Sequence, residues 1–137
     1  MSKTSRRSFL GNTGKAALAA TPIFNVANPF QEKKMKNIFI HHVYFWLKNP
    51  GSLADRNKLV EGLTRLSKVK TIRQFHIGKP ADTNRDVIEN SYAISWFVLF
   101  DNAADQAAYQ TDPIHLKFIK DCEGLWKKVI VYDAIDA

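Results

Sequence analysis

YAISWFVLF, Tyr92–Phe100, is the most apolar stretch of the 137-residue chain, and its reading decides the fold. Its β-branched and aromatic residues and short length mark a strand. Ile94, Trp96, Val98 and Phe100 alternate with Ala93, Phe97 and Leu99, so both faces of that strand are apolar. A strand of this kind needs cover on two sides.

Working outward, IFIHHVYFWLK (38–48) reads as a strand closed by Asn49-Pro50-Gly51. Ser52 followed by Asp55 is a weak capping box, and Leu59, Val60, Leu63 and Leu66 recur at helical spacing, which predicts a helix over about 53–69. IRQFHIG (72–78) is a second strand, and the polar loop ADTNRDVIEN leads to the apolar strand. Asp101-Asn102 caps a short helix, AADQAAYQ. Asp112 with Pro113 starts another, with Ile114, Phe118, Cys122, Leu125 and Trp126 on one face. KVIVYDAI closes the domain. The order β-α-β-β-α-β is the ferredoxin-like, α+β arrangement. In it helices cover one sheet face only, so the second apolar face is expected to be buried by another copy of the chain, a homodimer enclosing a barrel-like core.

Charge and cysteine narrow the function. The formal charge is +7, but Lys3, Arg6, Arg7 and Lys15 lie in the first thirty residues, where there is no acid; without them 16 bases face 13 acids. The remainder is scattered, so no nucleic-acid partner is expected. Cys122 is the single cysteine, which excludes an intrachain disulfide and fits a small core residue. Residues 1–30 read as a signal peptide and the start of a linker, 31–36 as linker, and 37–137 as the domain. Arg6 and Arg7, followed by Ser8, Phe9 and Leu10, resemble a twin-arginine export signal, with Ala17-Leu18-Ala19 as an A-x-A cleavage pattern. The resemblance implies export after folding, to the periplasm or beyond. The apolar run 16–24 is too short to span a bilayer, which takes about 20 residues, so no membrane partner is expected beyond the signal.

HHVYFWLK, GKPADTNRDVIENSYAISWFVLFDN, YQTDPIHLKF and LWKKVIVYD together resemble the Dabb family of stress-responsive α/β-barrel proteins over residues 37–135. The resemblance implies a ferredoxin-like fold pairing into a dimeric α+β barrel. A plant polyketide cyclase of that family closes a linear chain by an aldol-type step without a cofactor. Its catalytic tyrosine and histidine have the spacing of Tyr109 and His115. Its first-strand pocket histidine matches His42, which implies that His42, Tyr44 and Trp46 face the helices and a pocket while His41 faces the dimer side. Where the cyclase has another pocket histidine, on its third strand, this chain has Ile94. The implied substrate-binding set is His42, Tyr44, Trp46, Ile94 and Phe118.

His115 also reads as a candidate base from its own position. With Asp112 as N-cap and Pro113 first in the helix, it falls in the first turn, where unpaired backbone N–H groups disfavour imidazolium. Asp112 pulls the other way. Tyr109 is suited to hold an enolate oxygen. The competing structural role for both is to satisfy backbone groups around a cap. Neighbours His41 and His42 point to opposite faces and cannot share an ion; no metal or other cofactor is expected. His76 has no evident partner, and Arg85 and Asp86 read as solvated loop charges. The expected function is an exported, cofactor-independent enzyme acting by proton abstraction on a small hydrophobic carbonyl or phenolic ligand, cyclase- or isomerase-like. The alternatives are a non-catalytic ligand-binding or stress-protection dimer and, less favoured, a cofactor-free monooxygenase.

Overall fold

The computed structural model describes residues 19, 20, 22 and 33–137. The twin-arginine stretch Arg6–Leu10 lies outside them. Within the compact unit Lys34–Ala137 the elements are β1 (Phe39–Leu47), α1 (Leu53–Leu66), β2 (Gln74–Gly78), β3 (Ile94–Phe100), α2 (Ala103–Thr111), α3 (Pro113–Cys122), a 3-10 turn (Glu123–Leu125) and β4 (Trp126–Ile135). One antiparallel sheet of order β2-β3-β1-β4 carries the helices, a ferredoxin-like fold.

Local chemistry sets the boundaries. Ser52 Oγ accepts from the Asp55 N–H, Asn102 Oδ1 from Asp105 and Asp112 Oδ1 from Ile114, so each helix starts at a side-chain cap. α1 stops at Leu66, short of the expected Val69, because the Lys68 and Val69 N–H groups bond to the Arg65 and Leu66 carbonyls three residues back and tighten the last turn. α3 ends at Cys122. Leu125 therefore lies in the 3-10 turn and Trp126 begins β4, rather than both extending the helical stripe.

Strand register assigns the faces. His41 pairs with Val98, Val43 with Trp96 and Phe45 with Ile94, and all six point to the helices. There the five apolar ones join Leu59, Leu63 and Leu66 of α1, Tyr109 of α2, and Phe118 and Cys122 of α3 in one core. Each fully buried leucine contributes about 1.5–3 kcal/mol. At Gly62 a Cβ would stand 2.5 Å from Cys122 Sγ, so the missing side chain is what lets α1 and α3 approach. Cys122 is buried, and burial raises its thiol pKa, which keeps it protonated.

The phase of β1 is the reverse of the expected one. His42, Tyr44 and Trp46 lie on the sheet face that carries no helix, with Phe97 and Tyr132, and His41 lies beneath the helices. The cause is the company each set keeps. Val43, Phe45 and Leu47 have no polar atoms and are all buried, whereas the tips of His42, Tyr44 and Trp46 profit from remaining wet.

Candidate functional site

A cleft of about 170 Å³ opens between the helix-side surface of the sheet and the α2–α3 corner, lined by His41, Trp96, Tyr109, His115, Phe118 and Trp126 among others. The corner is built locally. Tyr109 ends the last turn of α2, its carbonyl accepts from the Asp112 N–H at 3.2 Å, and Asp112 then caps α3. His115 follows in the first turn, its ring centroid 4.6 Å from that of Tyr109.

His115 Nδ1 lies 3.1 Å from the Gln110 carbonyl. A carbonyl only accepts, so this bond fixes the proton on Nδ1 and leaves Nε2 as the lone-pair nitrogen. Burial lowers the His115 pKa, with His41 acting in the same direction; the Gln110 bond and Asp112 oppose it. The ring is thus neutral at physiological pH, the form a base requires. Burial acts in the same direction as the helix-end effect expected from position alone.

Tyr109 is buried, and its hydroxyl oxygen accepts from Trp96 Nε1–H at 3.0 Å. That bond consumes a lone pair and leaves the phenolic O–H available to donate. Burial raises the phenol pKa well above the ordinary range, despite the opposing Trp96 bond, so the group is a hydrogen-bond donor rather than a base.

His41, which the sequence reading set on the far side, completes the cleft. It is 4% exposed, its Nδ1 is 2.6 Å from Asp133 Oδ1, and its ring meets Tyr109 edge-on at 5.7 Å. Asp133, on β4 directly opposite His41, was not singled out by sequence. The available signal was the antiparallel register that sets the two side by side, once β1 and β4 are recognised as partners. An imidazole oriented by a carboxylate is a second proton-handling group.

The other expected residues are dispersed. Tyr44 and Trp46 line a separate hollow of about 390 Å³ on the open face, with Tyr92, Lys128 and Tyr132, and His42 stacks on Tyr44 beside it. Ile94 is core opposite Phe45, and borders a hollow with Arg56 and Val60 instead of the cleft. Phe118 does line the cleft. Arg85 and Asp86 are exposed loop residues. Among the described residues no group of three or more His, Cys, Asp or Glu could hold a metal ion, and no helix is long and apolar enough to cross a membrane.

Comparison with known proteins gives one family. Residues 39–136 match the model for the stress responsive A/B barrel domain, Dabb. No curated protein matches. Among solved structures, a Dabb family protein with a ferredoxin-like fold from Mesorhizobium loti is 22% identical, covering 73% of this chain and 97% of that one, with a TM-score of 0.61. A hydroxynitrile lyase from Passiflora edulis is 18% identical, covering 75% and 96%, with a TM-score of 0.62. A dimeric ferredoxin-like protein of unknown function from Bacteroides fragilis is 19% identical, covering 75% and 100%, with a TM-score of 0.58. At these identities the likeness establishes the fold alone.

Proposed function

This chain belongs to the Dabb family of stress-responsive A/B barrel domains, and we propose that it is a cofactor-independent enzyme that moves a proton on a small carbonyl or phenolic compound. One observation carries the reading: a neutral imidazole with a fixed tautomer and a free phenolic donor line the same cleft. His115 Nε2 takes a proton from carbon next to the substrate carbonyl. The electron pair moves to the carbonyl oxygen, where the Tyr109 O–H holds the developing negative charge. The imidazolium then returns the proton to the product carbon. His41, oriented by Asp133, hydrogen-bonds the substrate and exchanges its protons. A hydroxynitrile lyase on a similar fold supports an enzymatic role over a purely protective one.

Size limits the substrate class. A cavity of about 150 Å³ holds a benzene molecule, and the cleft of about 170 Å³ is of that order. A single-ring compound fits, whereas a long linear chain does not. We further propose that two copies pair through the open face, supported by its aromatic residues and by relatives described as dimeric. Export through the twin-arginine route remains our reading of Arg6 and Arg7.

The test is exchange of carbon-bound hydrogen in D2O, followed by NMR across a panel of single-ring ketones and polyhydroxyphenols. Catalysed exchange is expected, with His115→Ala losing about 10²–10⁴-fold and melting nearly as the parent does. Because burial lowers the His115 pKa, the midpoint of the acid limb of exchange should fall below the ordinary histidine value of about 6.5. Panel-wide exchange no faster than buffer, or an unimpaired His115→Ala, would overturn the proposal.

A further inference from the structure

The open face carries a row of side chains that runs across the whole sheet. His76 of β2, Phe97 of β3, His42 of β1 and Tyr132 of β4 stand side by side in register. His42 meets the Phe97 ring edge-on at 5.2 Å and stacks on Tyr44 at 4.4 Å, with Tyr44 Oη 3.2 Å from its Nδ1. Tyr44 in turn touches Tyr92 and Tyr132. The row therefore places His42 among aromatic rings at the middle of the sheet, with His76 on the exposed edge strand. The carboxylate that would suit an imidazolium there, Asp133, is on the other face and is taken by His41.

We propose that pairing of two copies through this face is proton-sensitive, because His42 must be uncharged when the partner sheet covers it. This rests on the pairing proposed above. His42 is mid-strand on a central strand, so sheet-on-sheet packing covers it whichever way the partner is turned about the axis. Losing water disfavours a buried cation, and the groups around His42 offer it no compensation. They are His76 from β2, neutral Phe97 from β3, Tyr132 from β4, Tyr44 on its own strand, Tyr92 beyond, and His41 through the sheet; Lys128 and Glu89 lie toward Trp46 at the far end. In the single chain the His42 pKa is already lowered, first by burial, then by His76 and His41. A partner sheet extends that burial.

The sign follows by linkage. A histidine with a lower pKa in the dimer than in the monomer stabilises the dimer above the monomer value, and that contribution is lost as pH falls through the dimer value. A symmetric pair has one His42 from each copy. Between the two pKa values the dissociation constant therefore rises by up to about 100-fold per pH unit.

Sedimentation equilibrium of the full chain at about pH 8 and about pH 5, with circular dichroism to confirm that the fold persists, tests this. A dimer at the higher pH that is at least about tenfold weaker at the lower one is expected. The variant His42→Gln should remove most of that dependence. If it misfolds, His42→Phe, which keeps a ring stacked on Tyr44, must do the same. Equal affinity at both pH values, or full dependence in the variants, overturns the proton coupling but leaves pairing intact. A monomer at about pH 8 overturns both.

Discussion

Adjacent residues of one type, His41 and His42, live on opposite faces of the same strand and have opposite environments. His41 is almost wholly buried, locked to Asp133 and edge-on to Tyr109; His42 is half-buried and stacked on Tyr44, with no carboxylate partner among the described residues. Trp96 and Trp46 repeat the contrast. Each indole N–H has a hydroxyl acceptor, Tyr109 for Trp96 and Ser91 for Trp46, yet the first bond is inside the core and the second at the exposed rim. Residue type does not set the role here. The covered face turns its polar groups into a fixed cleft, whereas the open face leaves them adjustable and available to a partner.

The tryptophan pair offers the largest effect. Trp96→Ala removes one of the largest fully buried side chains and the donor that orients Tyr109, and should cost about 3–5 kcal/mol in urea unfolding. Trp46→Ala gives up the rim hydrogen bond, an edge contact with the Tyr92 ring and the Lys128 ammonium lying 4.5 Å over its own ring. In dilute, monomeric protein it should cost under about 2 kcal/mol. Equal losses would mean that the two faces are not distinguished by burial as described.

The histidine pair sharpens the same contrast through activity. His41→Gln should slow proton exchange by about 10²-fold, the lower end of what a positioned acid–base group contributes. His42→Gln should leave exchange within about twofold, since its side chain does not line the cleft. If the reverse is measured, catalysis belongs to the open face and its larger hollow.

That these two were exchanged in the sequence reading has a physical cause. Alternation shows that successive residues of a strand face opposite ways, but not which way either set faces, and in this chain both sets are apolar enough to be buried. The decisive difference was subtler: Val43, Phe45 and Leu47 contain no polar atom, whereas Tyr44 and Trp46 do. The likeness to a cyclase with one first-strand histidine, applied to a chain with two in succession, selected the neighbour of the buried one. By contrast the helices and their starts were legible, because Ser52, Asn102 and Asp112 act through bonds spanning two or three residues. The Tyr109–His115 contact was legible for the same reason, being local to one corner. Asp133 was not, since it reaches His41 across 92 positions of sequence. The cleft's small volume depends on how three layers of side chains pack, which no local pattern records.

The smallest effect concerns the cap that joins helix geometry to chemistry. Asp112 and Asn102 are equivalent as caps, each accepting a backbone N–H at 2.8 Å, so Asp112→Ala and Asn102→Ala should each cost about 1 kcal/mol. They differ in what the freed turn carries. The first turn of α3 holds His115, whose bond to Gln110 spans the α2–α3 joint, whereas the first turn of α2 holds nothing that lines the cleft. Asp112→Ala should therefore reduce exchange several-fold, while Asn102→Ala leaves it unchanged. Asp112 also raises the His115 pKa, against the dominant effect of burial. Removing its charge should move the acid limb of the pH–rate profile to lower pH. Asp112→Asn keeps a capping oxygen but not the charge, so it should show the shifted limb without the several-fold loss. An acid limb that stays in place in both Asp112 variants would show that the titrating base is not the imidazole at this corner.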